Sequence, residues 1–117
     1  MANLSSFTGS GGIKSIQRGN SSISYSVAGG ATTGSLTWTV TITSVNTSKA
    51  MLIFSQTGSQ GVNYSAGSLI LNNGQFARGT ITNSTTLTFT LPSPQLFNSN
   101  QDGFISSSVD WQVIEFN

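Results

Sequence analysis

Leu36-Thr37-Trp38-Thr39-Val40-Thr41-Ile42-Thr43 decides the fold. Apolar residues take every even position and threonines every odd one, the period of a strand with one buried and one hydroxylated face. Ile23, Tyr25 and Val27 likewise alternate with Ser22, Ser24 and Ser26, and Leu87, Phe89 and Leu91 with Thr86, Thr88 and Thr90. No segment carries a helical period. Met51 to Phe54 and Leu69 to Leu71 are short continuous apolar runs, which predict strands covered on both sides. In the last segment Val109, Trp111 and Val113 share one parity while Ile114 and Phe116 take the other. A bulge, or cover on both faces, accounts for such a pattern.

Turn chemistry joins these runs. Asn73-Gly74 accepts the positive φ angles of a tight hairpin turn, and Asn83-Ser84 turns the chain again before Thr85. The expected result is a meander of strands from about Leu69 to Leu91. Pro92 and Pro94 donate no ladder hydrogen bonds and end it. Pro92 to Ser108 then reads as a long loop carrying Phe97, Phe104 and Ile105. Roughly eight strands without helices predict an all-β sandwich of jelly-roll type. It forms one domain over residues 13–117, preceded by a Gly/Ser-rich arm, Met1 to Gly12, of linker composition.

Composition excludes whole classes of chemistry. Of 117 residues, 53 are Ser, Thr, Asn or Gln, against seven charges: Lys14, Arg18, Lys49, Arg78, Asp102, Asp110 and Glu115. A net charge of +1 gives no electrostatic basis for holding nucleic acid or an anionic membrane. Neither His nor Cys is present, which removes nearly every zinc, haem, iron–sulfur and thiol-nucleophile site. No apolar run is long enough to span a bilayer, and the first residues lack the apolar core of a signal peptide. Asp110 and Glu115 have opposite strand parity, so they are expected on opposite faces and unable to act as an acid/base pair. Asn98 to Gly103 imitates the start of a calcium loop, but its twelfth position is Val109 where a bidentate Glu belongs, so it reads as a polar turn. We therefore expect no catalytic residues, no metal and no cofactor.

Lys14-Ser15-Ile16-Gln17-Arg18-Gly19 is more informative. If extended, it sets Lys14, Ile16 and Arg18 on one face. That arrangement fits an edge strand guarded by charge, with Gly19 supplying a turn, and equally a contact strip for a partner. Most other strands lack the Lys, Glu or Pro that guard isolated edges, and low net charge gives little colloidal repulsion. Both features predict a homo-oligomer.

Two segments together, Ile13 to Gly19 and Val109-Asp110-Trp111-Gln112-Val113-Ile114-Glu115-Phe116, resemble a group of small virion proteins of tailed bacteriophages. Those proteins begin with a K-S-I/V-Q-R-G strand, have Thr-rich middle strands like Thr85 to Thr90, and end in a W/Y-Q-V-V/I-E-F strand. The similarity covers most of Ile13 to Asn117, with those two segments as its sharp part. It implies a structural protein of the particle, assembled in the host cytoplasm: a capsid decoration or cement protein, with a trimer the favoured count and the major capsid protein or another virion protein as partner. Lys14, Ile16, Gln17 and Arg18 become the candidate interface residues, and Trp111 a candidate core residue. The alternative is a receptor- or glycan-binding tip domain of a tail fibre. Its contacts would fall in the late loop, at Phe97, Asn98, Asn100, Asp102 and Phe104.

Overall fold

The computed structural model describes residues 12–27, 35–64, 67–71, 76–91 and 102–117, with the backbone alone at 25–27, 59–64, 67–71 and 102–105. Seven strands run β1 (Ile13–Val27), β2 (Leu36–Thr41), β3 (Ala50–Tyr64), β4 (Gly67–Leu71), β5 (Arg78–Asn83), β6 (Thr86–Leu91) and β7 (Asp102–Phe116). They form a four-stranded sheet ordered β1-β7-β3-β4 and a three-stranded sheet ordered β2-β6-β5, antiparallel throughout. The first strand pairs with the last and the second with the penultimate. The two sheets make a β-sandwich, carried here by seven strands in place of the expected eight.

The missing strand is a merger. Ile13 to Gly19 and Ile23 to Val27 are one continuous 15-residue strand, and Gly19 does not turn the chain. It pairs with Trp111, and a Cβ placed on it would lie 2.5 Å from Trp111 Cζ2 and 2.8 Å from Cε2. Glycine is there to seat the indole. Other expectations shift as well. β7 begins at Asp102, so residues 102–108 belong to a strand and the long loop is shorter than the sequence predicts. Ser106, Ser107 and Ser108 pair on both sides, with Ser24, Ile23 and Ser22 of β1 and with Ser59, Gly58 and Thr57 of β3; small hydroxyl residues fit a strand that has neighbours to bond. β4 folds back on β3, with Gly67 opposite Tyr64, so it joins the four-stranded sheet and is no part of a meander with β5 and β6. Residues 1–11 and the Asn73-Gly74 turn lie outside the described residues. The turn after β5 is as expected: Asn83 Oδ1 accepts hydrogen bonds from Thr85 N at 2.9 Å and Thr85 Oγ1 at 3.2 Å.

The core lies between the sheets. Val109, Trp111 and Val113 of β7 face Leu87, Phe89 and Leu91 of β6, with Ile42, Val45 and Ala77 closing its margins. Phe89 is wholly buried; it stacks on Trp38 at 5.5 Å and meets Phe54 edge-on at 5.4 Å. On the β1/β2 side two side chains tie sheet to sheet. The Gln17 amide donates to Thr43 O at 2.9 Å and accepts from Thr43 N at 2.8 Å, and Trp38 Nε1 donates to Ser21 Oγ at 3.1 Å. The parity split of β7 involves no bulge: the register runs unbroken from Val109 to Glu115, and the two parities are the two faces of the sheet.

Candidate functional site

The long strands give the four-stranded sheet an outer face, turned away from β2, β6 and β5. Strand register arranges it in rows. Ile16, Ile114 and Met51 stand side by side across β1, β7 and β3, followed by Arg18, Gln112 and Ile53, then Asn20, Asp110 and Ser55, then Ser22, Ser108 and Thr57. One end is therefore apolar, and Ile16, Met51 and Ile53 are 43%, 44% and 49% exposed there. The other end is hydroxylated. Two open depressions lie along the face, one of about 550 Å³ bordered by Arg18, Ile53, Ser55, Asp110 and Gln112, the other of about 430 Å³ bordered by Ser22, Ser24, Thr57, Ser106 and Ser108.

The structure divides the predicted contact strip. Ile16 and Arg18 sit on the outer face. Lys14 does not, because the register slips between Ile13 and Ser15 and its ammonium bonds Glu115 Oε1 at 3.0 Å. Gln17 has the opposite parity and is spent on Thr43. Both side chains thus make contacts within the chain. Among the loop candidates, Phe97, Asn98 and Asn100 lie outside the described residues. Asp102 and Phe104 are strand residues, opposite Asn63 and Gly61 of β3. Met51, Ile53, Ile114 and Phe116 were missed as surface residues. Their signal was present in the continuous run from Met51 and the second parity of β7, which implied cover on both faces; the second sheet covers only one.

Glu115 is buried, its side chain 3% exposed. Asn46 N donates to Oε1 at 2.8 Å, Lys14 Nζ at 3.0 Å, and Ser15 Oγ to Oε2 at 3.3 Å. The Asn46 N–H first, and then Lys14, hold the carboxyl below the usual carboxylate range. A carboxylate whose pKa is depressed by folding adds stability that is complete above its unfolded pKa and fades as pH falls through the folded one. The melting temperature should thus hold from pH 7 to about pH 5 and drop below about pH 4.5, with the drop blunted in Glu115→Gln. Circular dichroism melts across that range check it; equal slopes for both proteins would contradict the assignment.

Asp110 lies on the outer face and accepts from Asn20 Nδ2 at 2.8 Å, so it and Glu115 point to opposite sides of the sheet, as their parity predicts. Among the described residues no group of three His, Cys, Asp or Glu side chains could hold a metal. No helix is long and apolar enough to cross a membrane. The chain matches no protein-family model, no curated protein and no solved structure.

Proposed function

We propose that this chain is a non-catalytic structural protein of a tailed-bacteriophage virion, a decoration or cement protein that covers contacts between capsomers of the head. The observation that carries the reading is the apolar end of the outer face, where Ile16, Met51 and Ile53 stand exposed in adjacent rows beside Arg18. A contiguous apolar patch with a polar margin on a chain of so few charges suits a surface covered by a neighbour. The resemblance of β1 and β7 to phage virion proteins supplies the particle as the setting. Copies covering one another and the shell each bury modest area, and repetition over a lattice makes attachment persistent.

Purified protein should co-sediment with heads stripped of it. Met51→Glu/Ile53→Glu should lose at least about tenfold in affinity, since a carboxylate buried unpaired against a shell carries a large desolvation penalty. Phe76→Ser, at a residue 79% exposed, should bind as the wild type does. Undiminished binding by a folded Met51→Glu/Ile53→Glu protein would contradict the reading. The depression where Arg18, Asp110 and Gln112 border Ile53 favours one rival, a fibre-tip domain that stacks a sugar on the apolar floor and hydrogen-bonds its hydroxyls through those three side chains. Glycan-array binding lost in Asp110→Ala would favour that rival.

A further inference from the structure

We propose that β1 is an assembly edge that pairs antiparallel with β1 of a second copy, continuing the four-stranded sheet across a two-fold axis. β1 ends its sheet: it is bonded to β7 along Ile13–Val27 and, among the described residues, to no strand on its other side. Every second residue of such a strand turns its N–H and C=O outward, so the edge is a ready template for another strand.

Isolated sandwiches guard their edges with charge, proline or a bulge. β1 has such guards only at its start, in the slip between Ile13 and Ser15 and in Lys14 and Arg18. From Gly19 to Val27 it carries no charge and no proline, and Ser22 and Ser24 are small and exposed. The strand is also held ready. Gln17 to Thr43 and Ser21 to Trp38 fix it against the second sheet, so little freedom remains to be lost on pairing.

Charge selects the occupant and its direction. Lys14 is neutralised by Glu115, whereas Arg18 has no ion pair among the described residues. Parallel pairing in register would set the Arg18 residues side by side, and like charges directly opposite destabilise a strand pair. Antiparallel pairing centred on the uncharged half sends them to opposite ends. The result is an isologous two-fold contact. A head-to-tail ring would instead place β1 on the other edge, where β4 covers β3 only from Gln60 to Tyr64. That edge begins directly after Lys49, a like charge to Arg18, and β3 itself carries no carboxylate.

The natural chain has no cysteine, so single-cysteine variants of it report the contact directly. Under oxidising conditions, one of Asn20→Cys, Ser22→Cys and Ser24→Cys, the position nearest the axis, should form a covalent dimer efficiently, because a disulfide demands close Cβ atoms. Thr80→Cys on β5 should not. Sedimentation should give a dimer for the wild type, and Ser22→Lys/Ser24→Lys should raise its dissociation constant about tenfold or more with an unchanged melting temperature. A wild type that stays monomeric, or an oligomer that neither cross-links through β1 nor responds to the lysines, would overturn the inference. It deepens the self-covering part of the reading above, and the two fail separately: a monomer that still binds heads sinks only the two-fold pair.

Discussion

Phe89→Ala should lower the unfolding free energy by about 3–5 kcal/mol, the range for deleting a fully buried aromatic ring. Phe89 comes from the middle strand of the three-stranded sheet, stacks on Trp38 of β2 and meets Phe54 of β3 across the sandwich. Gly79 on β5 lies opposite it, and a Cβ there would sit 2.8 Å from Phe89 Cε1 and 2.7 Å from Phe54 Cε1, so that strand is shaped to the two rings. Neighbours pinned in two sheets cannot collapse into the void, which places the loss toward the upper end of the range. Since a domain of this size has roughly 5–15 kcal/mol of stability, the variant should unfold early in a urea titration. Phe89→Leu, which refills part of the space, should lose markedly less. A loss below about 1 kcal/mol for the alanine variant would mean the ring is not central to the core.

Gly19→Ala should destabilise by about 1–3 kcal/mol, the range for forcing an extra methyl group into a packed site. The obstacle is the six-membered ring of Trp111, whose Cζ2 would lie 2.5 Å from the new carbon. The indole has little room to yield. Its ring is packed in the core, and its Nε1–H is buried without an acceptor among the described residues. Trp111→Leu alone should also destabilise, but in the double variant the alanine should add little, because the atoms it meets are gone. Urea titrations of the single and double variants give this coupling directly. Purely additive losses would contradict the contact.

The same contact joins the first and last strands of the chain. Ile13 to Gly19 and Trp111 to Phe116 are partners in one ladder: Gly19 seats Trp111, and Lys14 and Ser15 bond Glu115. Of the predicted strip, Ile16 and Arg18 lie on the outer face, while Lys14 and Gln17 make contacts within the chain.

Strand existence and facing were legible wherever alternation was strict, as in Leu36 to Ile42 and Leu87 to Leu91, because a two-residue period admits no other regular structure. Strand ends were less so. Gly19 carries the same letter whether it turns a chain or makes room for a ring, and Ser106 to Ser108 resembles a loop until β1 and β3 are seen to bond it on both sides. The pairing of β4 with β3 depends on which neighbour is closer in space, which no local pattern encodes. The apolar end of the outer face was written in Met51, Ile53 and Ile114, but parity tells that a face is apolar and not what covers it.

The most direct test of the virion reading is an electron-microscopic reconstruction of the intact particle at a resolution that traces β-strands. Many copies should be arrayed on the head, with the row formed by Ile16, Ile114 and Met51 against the shell or a neighbouring copy. A few copies confined to the tail tip, or a particle without this chain, would contradict it.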